Sequence, residues 1–155
     1  MFELIYRHLT EKEKQAICEW KYEGEFDIYN LPTYEEMREK EIGFMNTKTE
    51  HNYYGYFENG NLVGFVNILE EATEVFIGIG VNPALCGKHY GQQILLSAYQ
   101  ISKAKYPQKP LYLEVRTWNI RAVKCYQKAG FQIDGEPYEL TTGIGVGTFY
   151  RMIKE

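Results

Sequence analysis

The chain has 155 residues, 45% hydrophobic and 25% charged, which is ordinary for one globular domain spanning residues 1–155. Its net charge of −4 argues against nonspecific nucleic-acid binding. No apolar run approaches the roughly 20 residues of a membrane span, and the start Met1-Phe2-Glu3-Leu4 lacks the basic region and long apolar core of a signal peptide. Cys18, Cys86 and Cys125 are odd in number and lack CxxC spacing, so reduced thiols in the cytoplasm are expected. His8, His51 and His89 show no paired metal spacing, and no metal is expected.

In chain order, Phe2–Arg7 alternates as a first strand. Thr10 with Glu13 forms a capping box for a helix reaching about Trp20. Tyr22–Pro32, with Gly24, Asn30 and Pro32, reads as a loop. Thr33 with Glu36 starts a second helix over Tyr34–Asn46. His51–Phe57 and Leu62–Leu69 are strands joined by Asn59-Gly60, a hairpin turn because both residues tolerate positive φ. Glu74–Val81 is the next strand. Val75, Ile77, Ile79 and Val81 share one face, and Phe76, Gly78 and Gly80 the other. That glycine face reads either as close approach of a ligand or backbone, or as a bend of the sheet. A helix follows from about Tyr90 to Lys105, with Ile94, Leu95, Ala98 and Ile101 as its buried stripe. Leu111–Thr117 is a strand. Asn119 caps a helix that ends at Gly130, with Phe131 folding back onto it. Two final strands lie near Phe131–Ile133 and Thr148–Ile153. The order βααβββαβαββ predicts a mixed α/β (α+β) fold, with a mostly antiparallel central sheet flanked by helices.

Charge is unevenly spread along these elements. Residues 1–50 carry 12 acids against 7 bases, and residues 51–85 carry 4 acids with no Lys or Arg. Residues 86–130 carry 8 bases and a single acid, Glu114. An anionic partner therefore suits the later stretch and a cationic one the earlier.

Two segments are candidates for chemistry. Gly87-Lys88-His89-Tyr90-Gly91 joins a strand to a helix, where backbone N–H groups and the helix dipole favour phosphate. A plain turn explains the same residues, and the dinucleotide and P-loop glycine patterns are absent. The second segment is Leu111–Phe131. Glu114 lies inside its apolar strand, as a solvated acid or as part of a polar ligand site. Tyr126 follows Ala122 and Val123 on the helix's apolar side, as a core aromatic or a site residue.

Leu113-Glu114-Val115-Arg116, Asn119, Ala122, Tyr126 and Gly130-Phe131 resemble, at matching spacing, the signature of the GNAT superfamily of acetyl-CoA-dependent N-acetyltransferases. Val81, Pro83, Tyr90, Gly91 and Leu95 resemble that family's pyrophosphate-binding segment. Cys86 stands where the family usually has Arg or Gln, and His89 where its first glycine usually sits. Ordinary helical φ at His89 would leave the turn unchanged.

The resemblance implies the GNAT fold and acetyl-CoA as cosubstrate. It implies that backbone around Gly87, Lys88, His89, Tyr90, Gly91 and Gln92 holds the pyrophosphate. Val81 would pair with the pantetheine arm, and Asn119 would contact it. Tyr126 would be the general acid, and Glu114 the general base, with Glu74 a second candidate base. The acceptor would be a primary amine, on a small molecule or at a peptide N-terminus. Attack is direct, so Cys125 would not carry the acetyl group. Residues 11–50 hold 11 acids and 6 bases, with Tyr22, Tyr29 and Tyr34 interleaved, which reads as the amine side or as a solvated acidic face. Gly143–Gly147 reads as a flexible loop before the last strand, a candidate acceptor-side lid. Neither nucleic acid nor a membrane is an expected partner, and a homodimer is left open. The alternative reading is a non-catalytic module of the same fold that binds acyl-CoA or a partner.

Overall fold

In the computed structural model, which describes residues 4–155, Asn59 (φ 50°) and Gly60 (φ 80°) form the turn that their sequence demands. They join β2 (Tyr53–Glu58) to β3 (Asn61–Glu70) as an antiparallel hairpin, with a bulge between Tyr56 and Phe57. β1 (Ile5–His8) pairs antiparallel with β2. Phe2 and Glu3, the expected start of the first strand, lie outside the described residues. The chain divides into two compact units, one of residues 4–67 with Ile79–Tyr90, the other of Ile68–Gly78 with Gly91–Glu155.

In the first unit, α1 (Glu11–Glu19) begins where expected. The Thr10 N–H donates to Glu13 Oε1 at 2.8 Å, one half of the capping box. The second helix is shorter than its sequence predicts: α2 covers Tyr34–Lys40 and ends at Glu41 in left-handed conformation (φ 51°). Gly43, at φ 59°, then turns the chain into a 3₁₀ segment. Ile17, Cys18, Met37 and Phe44 form the buried core here, packed against Trp20, Tyr53 and Phe65.

The second unit is built on alternation. In β5 (Leu111–Arg116), Leu111, Leu113 and Val115 are buried, while Tyr112, Glu114 and Arg116 are half-buried on the other face. β5 runs parallel to β4 (Val75–Val81) and antiparallel to β8 (Gly145–Lys154). β8 also pairs with β6 (Gln132–Ile133) and with β7 (Tyr138–Thr142). β7 is a strand that the sequence reading omits. Gly143–Gly147 is correspondingly not a plain loop: it forms the tip and first residues of the β7–β8 hairpin. α3 (Tyr90–Lys105) buries Ile94, Leu95, Ala98 and Ile101, as its spacing predicts. α4 (Ile120–Lys128) is capped by Asn119, whose Oδ1 accepts from the Ala122 N–H at 3.2 Å. It ends with the Phe131 N–H donating to the Tyr126 carbonyl at 3.0 Å. The pairs β1–β2, β2–β3, β5–β8, β6–β8 and β7–β8 are antiparallel and β4–β5 is parallel, the mixed α/β pattern expected.

Candidate active site

The segment after β4 is anchored by one side chain. Asn82 donates its backbone N–H to the Val63 carbonyl (2.9 Å) and its Nδ2 to the Leu62 carbonyl (3.3 Å). Its Oδ1 accepts from the Ala84 N–H at 3.0 Å. The Val81 carbonyl, the expected pantetheine position, accepts from Tyr22 Oη at 2.6 Å. Beyond Cys86 the backbone takes left-handed conformation at Gly87 (φ 83°) and again at His89 (φ 68°). His89 therefore does not have ordinary helical φ. It adopts the conformation that a glycine would take more readily. A Cβ at Gly87 would meet nothing within 4 Å, so backbone conformation rather than crowding favours glycine there. α3 starts at once at Tyr90, and the first N–H groups of a helix have no intrahelical partner. Gly91 and Gln92 belong to that first turn. Gly87, Lys88 and His89 are exposed. Tyr90 is buried, and its hydroxyl donates to Glu58 Oε1 at 2.8 Å, which pushes its pKa up.

The half-buried face of β5 is a layer of hydrogen-bonded acids and aromatics. Glu114 lies opposite Arg151 in the β5–β8 register, yet its hydrogen-bond partner is Tyr138, whose Oη donates to Oε2 at 2.7 Å. Arg151 is committed elsewhere. Nη1 and Nη2 donate to Glu74 at 2.9 and 2.6 Å, and Nε donates to Asp134 at 3.0 Å. Its guanidinium stacks over the Tyr112 ring at 4.5 Å. Tyr112 Oη donates to Glu71 at 2.7 Å. Burial, then a hydrogen bond to a carboxylate, pushes the hydroxyl pKa of both Tyr112 and Tyr138 well up. Bonding to Glu74 raises Arg151 further above its ordinary range. The structure thus brings both candidate bases into one layer, with different partners. Arg151, Tyr138 and Asp134 are missed by the sequence reading, since no local motif marks a contact made across strands.

On α4, Tyr126 is half-buried and Asn119 is buried as the helix cap. Burial pushes the Cys125 thiol up, away from the thiolate form that a nucleophile needs. In the first unit, a cavity of about 320 Å³ is lined by Glu11, Lys14, Tyr34, Arg38 and Glu50 among others. Lys14 Nζ donates to Glu11 (3.2 Å) and Glu50 (2.9 Å), so the two acids share one cation. No helix among the described residues is long and apolar enough to cross a membrane.

The sequence model of the acetyltransferase (GNAT) family matches residues 14–131, and the chain belongs to that family. Solved structures share the fold. An acetyltransferase (GNAT family) from Bacillus anthracis is 16% identical with a TM-score of 0.81, covering 99% of this chain and 96% of its own. A chimera of spermidine N-acetyltransferase SpeG from Vibrio cholerae is 20% identical with a TM-score of 0.77, covering 97% and 93%. Aminoglycoside acetyltransferase AAC(6')-Ib, solved with coenzyme A and kanamycin, is 20% identical with a TM-score of 0.73, covering 98% and 94%. No curated protein sequence matches the chain.

Proposed function

We propose that the protein transfers an acetyl group from acetyl-CoA to a cationic primary amine by direct attack, with Glu114 as general base and Tyr126 as general acid. The observation that carries this reading is the state of Glu114. It is a half-buried strand carboxylate with one oxygen held by a neutral hydroxyl, and its Oε1 has no hydrogen-bond partner among the described residues. Glu74 is the less suited base, because Arg151 pairs with its charge and occupies both of its oxygens.

The chemistry follows from ordinary acidities. A primary ammonium with a pKa of about 10.4 is protonated at neutral pH and is not a nucleophile. Glu114 takes one proton from it, and the amine nitrogen bonds to the thioester carbonyl carbon. The nitrogen gives up its second proton to water as the C–S bond breaks; the thiolate, with a pKa of about 8.5, takes its proton from the Tyr126 hydroxyl, which is reprotonated from solvent while Glu114 releases its proton there. For acetyl-CoA, the residues fit a phosphate-bearing group. Left-handed residues at 87 and 89 turn the backbone ahead of the α3 N-terminus, and an exposed Lys88 adds charge. Backbone N–H groups over Gly87–Gln92 bind the pyrophosphate. Val81 and Asn119 serve the pantetheine arm. Val81 does so through its N–H, because Tyr22 takes its carbonyl. Two fold relatives are acetyltransferases of spermidine and of aminoglycosides, which are polycationic amines, and this supports a small acceptor of that class.

The test is release of free CoA thiol from acetyl-CoA across a panel of polyamines, amino sugars and peptides. Tyr126→Phe lowers turnover by about 10²-fold or more, the scale of losing an acid–base group. Glu114→Gln raises the pH needed for activity, because only the free amine then reacts. Tight CoA binding without thiol release for any amine would instead support a binding module.

A further inference from the structure

We propose that Tyr138 is a positioning residue: from β7 it fixes the Glu114 carboxylate in a rotamer that leaves Oε1 open to the acceptor amine. The proposal rests on Glu114 being the base. The geometry is a reach across a whole strand. Tyr138 pairs with Phe149 of β8, and Phe149 pairs on its other side with Arg116 of β5. The alternation of strands puts Tyr138, Phe149, Arg116 and Glu114 on one face, with Glu114 diagonal to the pair. A tyrosine is long enough to span that distance, and its Oη meets Glu114 Oε2 at 2.7 Å.

The other groups facing Glu114 explain why a neutral hydroxyl does this work. On β8, Arg151 stands directly opposite but spends its N–H groups on Glu74 and Asp134. On β5 itself, Arg116 lies over the Phe149 ring at 4.8 Å and bonds to Thr142, and Tyr112 bonds to Glu71. Glu74 adds a second negative charge to the layer, and Arg151 pairs with it. A cation on Glu114 would cancel the charge that an ammonium must meet. A hydroxyl orients the carboxylate and leaves that charge in place. The Tyr138 hydroxyl stays protonated across the working range, because burial and Glu114 both push its pKa up.

Two readouts test this, one of them independent of turnover. In the first, the carboxyl ¹³C resonance of Glu114 is compared at pH 7 in the wild type and in Tyr138→Phe. Losing the Tyr138 hydroxyl bond moves that resonance and leaves the other side-chain carboxyl resonances in place. In the second, kcat/KM for spermidine is measured at saturating acetyl-CoA. Tyr138→Phe lowers it by about 10-fold, the scale of a lost hydrogen bond to a charged group, and KM for acetyl-CoA is unchanged. In a Glu114→Gln background, Tyr138→Phe has no further effect on kcat/KM. A Glu114 resonance that does not move in Tyr138→Phe overturns the proposal. A moved resonance with kcat/KM unaffected by Glu114→Gln leaves Tyr138 orienting Glu114 but removes Glu114 as the base. If the Phe variant does not fold, 3-fluorotyrosine at 138 keeps the ring and the hydroxyl. Its ¹⁹F resonance moves when Glu114→Gln removes the carboxylate, and an unmoved ¹⁹F resonance overturns the proposal.

Discussion

His89 holds a left-handed conformation at φ 68° with an exposed side chain, so His89→Gly removes strain without removing packing. A side chain with a Cβ in that region costs about 1–2 kcal/mol. Glycine gives back about 0.4–1 kcal/mol through the greater freedom of the unfolded chain. The difference leaves a net stabilisation of roughly 0.5–1 kcal/mol. For a domain of this size that raises the melting temperature by about 1–4 °C. The assay is reversible thermal unfolding by circular dichroism at pH 7, beside His89→Ala as control. Alanine keeps the Cβ and therefore the strain, so it gains less than glycine. A glycine variant that melts below the wild type refutes the reasoning, as does an alanine variant that gains as much.

Two more predictions concern the first unit. A Cβ added at Gly80 would collide with Phe65, coming within 2.7 Å of its Cζ, and Trp20, Phe44 and Tyr53 ring that side chain. Gly80→Ala therefore destabilises by about 1–3 kcal/mol in denaturant titration, and Phe65→Leu in the same chain recovers part of the loss. An unchanged midpoint would mean that the ring moves freely. Glu13 accepts from Arg7 at 2.7 Å and from the Thr10 N–H, and the Arg7 bond is the main reason its pKa falls to about 2. A depressed folded-state pKa adds stability that is present above the ordinary value near 4.3 and is lost as pH falls through about 2. Arg7 is half exposed, so solvent screening reduces the contribution to about 1 kcal/mol. Glu13→Gln loses that amount at pH 7 and flattens stability across this acid window. A variant as pH-sensitive there as the wild type would place the effect elsewhere.

The glycine face of β4 shows how a correct sequence signal acquires its cause only in three dimensions. Alternation places Gly78 and Gly80 together, and glycine in a strand signals close approach. What approaches Gly80 is the Phe65 ring, a side chain rather than another backbone. The β7–β8 hairpin shows the converse. Gly143–Gly147 reads as a loose loop because three glycines in five residues mask the strand. Pairing with β7, which carries Tyr138, then orders Gly145–Gly147.

Local chemistry determined most of the element order. Helix caps at Thr10, Thr33 and Asn119, the Asn59-Gly60 turn and the apolar spacing of α3 and β5 act within a few residues, so the chain alone displays them. The Leu113–Arg116 and Ala122–Tyr126 pattern likewise marked the GNAT family, because both elements are contiguous. Tertiary structure decided which charges are free. Acids look alike in composition, but Glu74 is neutralised by an arginine 77 residues away while Glu114 meets a tyrosine 24 residues away. Such pairings depend on strand register, which is set by every strand between them at once, and no window of sequence contains it.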